Sequence, residues 1–307
     1  MHRSGGLQHR RGLRVSDIMN FGKEGTRMYT QEEFANDCRR LFSETDGNSV
    51  DIPGRGTVLL YDPPLVGCAA ASDEIFERYK QPEIIGAGYY SPSEWLPAAK
   101  TVVSFFFPFT EAVRSSNRAD RTEPSAEWLY GRIEGQAFIT RYMAGLKQLL
   151  EARGVEACVP SSDERFGIQF EPAATGGEAD FHVVSRWSER HAAYACGLGT
   201  FGLSRGLISE KGIAGRYASV IIPEEWTPSG RRYTGIDDYC IRCGACVRKC
   251  PAQAISLEHG KNNVLCNAHL EKMKEKYSPR YGCGKCQVGV PCESSAPGLK
   301  IKKRREA

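Results

Sequence analysis

A chain of 307 residues, 41% of them hydrophobic, is long enough for one large domain or two of ordinary size and carries enough apolar material for a sizeable core. No stretch approaches the ~18 apolar residues of a membrane span. Arg10-Arg11 resembles the start of a twin-arginine signal, but no hydrophobic region follows it, so the sequence reads as cytoplasmic. The formal charge of +4 is mildly basic. The runs Arg3, Arg10, Arg11, Arg14 and Lys300, Lys302, Lys303, Arg304, Arg305 read as solvated tails.

In chain order, residues 1–27 are rich in Gly, Arg and His without periodicity and are expected to form a disordered basic extension. Thr30-Gln-Glu-Glu33 makes a capping box ahead of a helix carrying Phe34, Cys38, Leu41 and Phe42. Residues 57–61 and 65–69 predict short buried strands broken by Pro63-Pro64. Ser91-Pro92-Ser93-Glu94 predicts a second cap with proline at the first helical position. The apolar run 101–107 predicts a central strand.

The clearest helix runs from about Ser125 to Arg153, with Leu129, Ile133, Ile139, Met143, Leu146 and Leu150 at mostly helical spacing and Gly154 as its stop. Gly131 and Gly135, one turn apart on it, make a bare patch that predicts close packing against a neighbour. The sharper alternative is approach to a flat cofactor. Residues 188–196 read as a helix ending in glycines, 217–222 as another strand, and 226–235 as a linker rich in Pro, Gly and Arg. Helices and strands so mixed indicate an α/β or α+β domain over residues 28–235, followed by a separate module at 236–307.

That module opens on Cys240-Ile-Arg-Cys243-Gly-Ala-Cys246-Val-Arg-Lys-Cys250-Pro251, the C-x2-C-x2-C-x3-C-P run of a bacterial ferredoxin. Three thiolates at that spacing wrap one face of a 4Fe–4S cube, and the fourth, ahead of the proline, points at a different cube. The run therefore demands a second group of cysteines, and Cys266, Cys283, Cys286 and Cys292 supply it. Zinc ribbons use two C-x2-C pairs across a spacer instead. Each occupied cluster site adds about −2 to the charge, which brings the formal total near zero and removes most of the global argument for nucleic acid. Cys38, Cys68, Cys158 and Cys196 lie in apolar surroundings and read as buried free thiols.

Gly197-Leu-Gly199-Thr200-Phe-Gly202 satisfies the G-x-G-x-x-G dinucleotide pattern. A helical pattern precedes it, however, and positions 217–222 hold no acid, so NAD binding is rejected. The glycines still imply tight turns or close backbone approach to something bulky.

With the cysteines and this glycine segment both placed, the chain resembles the epoxyqueuosine reductase family, itself related to the reductive dehalogenases. The resemblance is carried by Ser188-Glu189-Arg190 through Gly202, by Gly215-Arg-Tyr-Ala-Ser-Val220, and by the eight cysteines, and spans about residues 55–295. It implies an α+β fold: a nitroreductase-like α/β domain holding a base-off cobalamin, followed by a two-cluster ferredoxin module. The D-x-H-x-x-G signature of the other common cobalamin fold is absent. The resemblance implies crossed ligation, with Cys240, Cys243, Cys246 and Cys292 on one cluster and Cys250, Cys266, Cys283 and Cys286 on the other. It sets Gly197, Gly199, Thr200 and Gly202 against the corrinoid. The implied chemistry is reduction of a C–O, C–halogen or similar bond with electrons from a soluble ferredoxin or flavodoxin, the cofactor carrying the difficult step.

Three departures mark this chain. The family's last motif, C-x2-C-x3-C-P, is Cys283-x2-Cys286-x5-Cys292 here, with Val290-Pro291 where Cys-Pro is expected. The family's aspartate proton donor, six residues before the glutamate matched by Glu189, is replaced by Val183. Asp180 and His182 are the nearby catalytic candidates, with Arg186 also close. A helical-repeat domain that helps relatives bind tRNA does not follow the cysteines, which leaves the substrate open between a small molecule and tRNA. Two other readings stand beside the corrinoid-dependent reductase. One is a non-catalytic ferredoxin-type electron-transfer protein serving a partner such as a corrinoid protein; the other is a tRNA epoxyqueuosine reductase with a displaced proton donor.

Overall fold

A computed structural model describes residues 29–172 and 181–299. The expected basic extension at 1–27, the basic run at 300–305 and Asp180 lie outside these residues. The elements follow in the order α1 (Gln31–Glu44), β1 (Ser49–Ile52), β2 (Gly56–Leu59), β3 (Leu65–Ala70), α2 (Ile75–Arg78), α3 (Pro92–Trp95), β4 (Thr101–Pro108), α4 (Glu111–Ala119) and α5 (Ala126–Ala152). After them come β5 (Ile168–Pro172), β6 (Phe181–Ser185), α6 (Glu189–Ala195), β7 (Gly199–Phe201), β8 (Leu207–Ser209) and β9 (Gly215–Ile222). The chain continues with α7 (Ala245–Lys249), β10 (Ile255–Ser256), β11 (Gly260–Lys261) and α8 (Asn263–Tyr277). Every strand pair among the described residues is antiparallel, which makes the fold α+β.

The predicted caps form. Glu33 N donates to Thr30 Oγ1 at 3.2 Å and Thr30 N donates to Glu33 Oε2 at 2.9 Å, satisfying two of the N–H groups that a helix start leaves open. Ser91 and Glu94 repeat the arrangement ahead of α3.

The central sheet has the order β3–β4–β9. β4 is buried along its whole length because both faces are covered, and the covers alternate with the pleat. Val103, Phe105 and Phe107 pack with Phe34 of α1 and Phe138 and Tyr142 of α5. Val102 packs on the other face with Trp95, Trp187 and Ala192. Full burial of such rings contributes about 1.5–3 kcal/mol each, so this two-sided core is the main source of stability.

The bare patch on α5 is a packing device. A Cβ on Gly131 would lie 2.7 Å from the Phe109 ring, and one on Gly135 would lie 2.6 Å from the Tyr61 hydroxyl. Tyr61 and Phe109 stack with centroids 4.9 Å apart and fill the space that the two glycines leave. The four cysteines outside the module are buried free thiols, as their settings predict.

Residues 226–235 are more firmly held than a linker reading implies. Trp226 and Tyr233 are buried, and Ser229 exchanges two hydrogen bonds of 2.9 Å with the backbone of Cys68. The module is then fastened to the larger domain by α4 and α5. Asn117 Nδ2 donates to the Cys283 carbonyl at 3.0 Å, Tyr277 donates to Glu123 at 2.6 Å, and Arg280 lies over the Tyr130 ring while pairing with Glu134. Among the described residues no helix is long and apolar enough to cross a membrane.

Candidate cluster sites in the cysteine module

The eight module cysteines line two cavities, four to each. Cys240, Cys243, Cys246 and Cys292 line one. Cys250, Cys266, Cys283 and Cys286 line the other, of about 200 Å³. Local chemistry explains the division. Arg242 and Gly244 take positive φ, 48° and 69°, and curl the chain so that three cysteines at C-x2-C-x2-C spacing face inward. Cys250 then leaves α7 in an extended conformation, φ −75° and ψ 109°, the state that the following Pro251 favours. Its thiol is thereby carried to the second cavity, where Cys266 joins it from the first turn of α8 and Cys283 and Cys286 from the loop beyond. The long spacer after Cys286 folds on itself. Glu293 accepts from Gly289 N at 2.6 Å, and Ile213 N donates to the Cys292 carbonyl at 2.9 Å, so Cys292 returns to the first cavity.

Burial pushes the Cys292 thiol up to about 12, and the next contributions come from Cys240, Cys246 and Cys243. Burial likewise lifts Cys286 to about 12, against the pull of Lys261 and with the help of Cys283, Cys266 and Cys250. Cys283 is raised to about 11, again mainly by burial. Thiols raised this far stay protonated at neutral pH unless a cationic group displaces the protons. Among the described residues, no three His, Cys, Asp or Glu side chains converge as ligands of a single ion. A ring of four thiols is the kind of donor set that a 4Fe–4S cube takes. The second cavity adds two buried nitrogens without hydrogen-bond partners, Arg132 Nε and His269 Nε2. Arg132 Nε–H can only donate, and an unsatisfied buried donor beside a ring of thiols fits a group that carries acceptor sulfurs.

The cavities differ in their remaining walls. The first is lined by apolar and small residues such as Leu203, Ile208, Ile213 and Val290, with no charged side chain. The second is lined by Arg132, Arg216, Lys261 and His269, residues that sequence reasoning did not find. Arg132 sits one turn beyond Trp128 on α5, and only the tertiary docking of α5 on the module brings it to the cysteines.

The glycine segment is packed closely against the chain's own backbone. A Cβ on Gly197 would meet the Gly230 carbonyl, and one on Gly199 would meet the Ile208 carbonyl. Thr200 is fully buried and its Oγ1 accepts from Tyr239 N at 2.8 Å. Gly202 lies against Ile208, with its Cβ position 3.8 Å from Cys240 Sγ. The bulky neighbour these residues admit is the chain's own backbone, and they seat the module on the larger domain.

His182 stands on β6 opposite Glu171, and Val183 stands opposite Phe170; both Val183 and Phe170 are exposed. The nearby carboxyl that can hold a proton near neutral pH is Glu189, at the start of α6. Its Oε2 accepts from Ser219 Oγ at 2.7 Å, and Trp187 Nε1 donates to the same hydroxyl at 2.8 Å. Burial pushes this carboxyl up to about 7. Sequence reasoning used Glu189 as a landmark and missed it as an acid, because its setting depends on a strand thirty residues away.

Comparison with known proteins gives one family match, a 4Fe-4S binding domain over residues 233–256. No curated protein matches the chain in sequence. Among solved structures, a selenomethionine-labelled epoxyqueuosine reductase is 18% identical with a TM-score of 0.49, covering 86% of this chain and 65% of its own. Epoxyqueuosine reductase from Bacillus subtilis is 17% identical with a TM-score of 0.45, covering 86% and 67%. A reductive dehalogenase described in terms of B12-dependent dehalogenation is 14% identical with a TM-score of 0.45, covering 88% and 38%. The chain thus spans about two thirds of the reductases and less than half of the dehalogenase.

Proposed function

We propose that this chain is an iron–sulfur reductase holding two 4Fe–4S clusters, one on Cys240, Cys243, Cys246 and Cys292 and one on Cys250, Cys266, Cys283 and Cys286. The observation that carries the reading is the convergence of eight thiols in two rings of four. Bound clusters would supply one-electron chemistry. The protein's own contribution is to bury the thiols, exclude water and lock the module against the α+β domain through Thr200, Lys285 and Arg280. A soluble ferredoxin or flavodoxin is the proposed donor. Within this reading Glu189, rather than Asp180 or His182, is the proposed store of a proton near neutral pH.

A corrinoid in a nitroreductase-like domain of residues 28–235 is the acceptor that the likeness of residues 188–202 favours. The filled space at Gly197 and Gly199 does not fit a cofactor lying on that segment, so no step is derived through it. The same observation favours a second reading, an electron-transfer protein that serves a separate partner. Anaerobic reconstitution tests both. About eight irons and eight sulfides per chain support the two-cluster proposal, and four irons, or mainly zinc, overturn it. Titrating the reconstituted protein with cobalamin then separates the two readings: a shifted corrinoid absorption spectrum supports the reductase, and no uptake supports the carrier.

A further inference from the structure

The two thiol rings stand in different electrostatic surroundings. Arg132, Arg216 and Lys261 line the ring of Cys250, Cys266, Cys283 and Cys286, whereas no charged side chain lines the other. Glu293, which follows Cys292, is turned away onto Arg118 and Arg114. Lys285, between Cys283 and Cys286, is 1% exposed. Its Nζ donates to the Asn117 carbonyl at 2.8 Å, to Asn117 Oδ1 at 3.1 Å and to the Asp120 carbonyl at 3.1 Å.

Three acceptors engage all three protons of an ammonium, and all three acceptors are neutral. A buried charge whose own contacts carry no opposite charge is costly. Asp120 and Glu123 favour the charged form from outside these contacts, and a cluster with four thiolates, carrying net negative charge, adds counter-charge on the cysteine side. Arg132 Nε points the same way: the guanidinium carbon lies 4.2 Å over the Tyr281 ring, and Nε is buried without a hydrogen-bond partner. A guanidinium N–H can only donate, and the acceptors that a cluster would bring to this cavity are sulfurs.

We propose that Arg132 donates its Nε–H to a sulfur of the cluster bound by Cys250, Cys266, Cys283 and Cys286. Together with Lys261 and Lys285 it holds that cluster at a higher reduction potential than its neighbour. An electron delivered by an external one-electron reductant therefore comes to rest there. This rests on the two-cluster reading above. Cluster potentials follow net charge, hydrogen bonds to sulfur and solvent exposure. The exposed Cys243 works in the opposite direction, since water raises the potential of the first cluster. Fixed charges acting through protein are screened less than those acting through water, so the half-buried Arg132 and Lys261 and the buried Lys285 decide the order. Arg132 is a positioning residue in this scheme, and potential is what it controls.

The test is an anaerobic redox titration of the full chain followed by EPR, with iron counted first and Cys292→Ala used to assign the signal of the second cluster. Two separated midpoints are expected, the higher belonging to the cluster that survives in Cys292→Ala. Arg132→Leu lowers that midpoint alone, by roughly tenfold in the equilibrium constant for reduction, or about 59 mV for a one-electron couple. Lys261→Met lowers it in the same direction by less. Lys261 is half-buried, so this variant decides the matter if Arg132→Leu fails to hold its cluster. Eight irons with both midpoints unmoved overturn the inference and leave the two-cluster reading standing. Four irons in the unsubstituted chain overturn that reading itself.

Discussion

The two thiol rings use the same ligand type but are assembled by different routes. The first takes Cys240, Cys243 and Cys246 from a single seven-residue turn and needs one return, that of Cys292. The second collects Cys250, Cys266, Cys283 and Cys286 from a helix end, the start of α8 and a loop, and its far wall is α5 of the other domain. Both rings are closed by the larger domain, the first by Leu203, Ile208 and Ile213 and the second by α5 and Arg216, but the first takes three of its four thiols from one local turn. Charge separates along the same line, since the second ring is the one to which the larger domain brings Arg132 and Arg216.

The largest effect expected from this comparison is reciprocal loss of metal. Cys292→Ala removes the first cluster and Cys286→Ala the second, each leaving about four of about eight irons. Iron analysis with EPR of the surviving cluster checks both. If either substitution removes all the iron while the other removes none, the division of ligands between the rings is wrong.

A difference in fragility follows from two glycines with the same backbone angle. Gly284, in the second ring, and Gly244, in the first, both have φ 69°, so alanine at either costs about 1–2 kcal/mol in backbone strain. What their side chains would meet differs. A Cβ on Gly284 runs into the buried Trp128 ring, whereas one on Gly244 meets the flexible end of Arg248 at 3.2 Å. Overpacking against a ring that cannot move adds about 1–3 kcal/mol. Thermal unfolding should show Gly284→Ala clearly less stable than Gly244→Ala, with iron lost first from the second ring. Equal costs would mean that the second ring does not depend on the docking of α5.

The same contrast sets what could be read from sequence. The ferredoxin run, the capping boxes at Thr30 and Ser91, the buried strand at 101–107 and the helix after Ser125 are short-range patterns, and they lie where their spacing predicts. So is the cramped patch of Gly131 and Gly135, whose partners Tyr61 and Phe109 were nonetheless invisible. α8 escaped notice because Met273 is its single fully buried residue, so it carries no apolar stripe to mark its period. Arg132, Lys261 and Lys285 are ordinary charged residues in sequence and become distinctive only when α4, α5 and the module meet. The glycines at 197–202 were read correctly as sites of close approach. What approaches them is the β8 strand and the 226–235 segment, which pairwise spacing could not reveal.

The smallest effect concerns a group that lines neither ring and could imitate damage to both. Burial holds the Glu189 carboxyl protonated up to about pH 7, while in the unfolded chain it ionises near the ordinary glutamate value of about 4.3. Between those limits the folded state binds the extra proton, so stability is fully present below the lower value and falls as pH rises through about 7. The decline is of order 2 kcal/mol after allowance for water reaching a partly accessible side chain. Glu189→Gln keeps a neutral group of the same shape and should flatten the stability profile across that window, while leaving iron content and both midpoints at their original values. Denaturant unfolding at pH 5 and pH 8 measures it. If the slope persists in Glu189→Gln, the pH dependence belongs to the thiol rings, and Glu189 is not the proton store proposed for it.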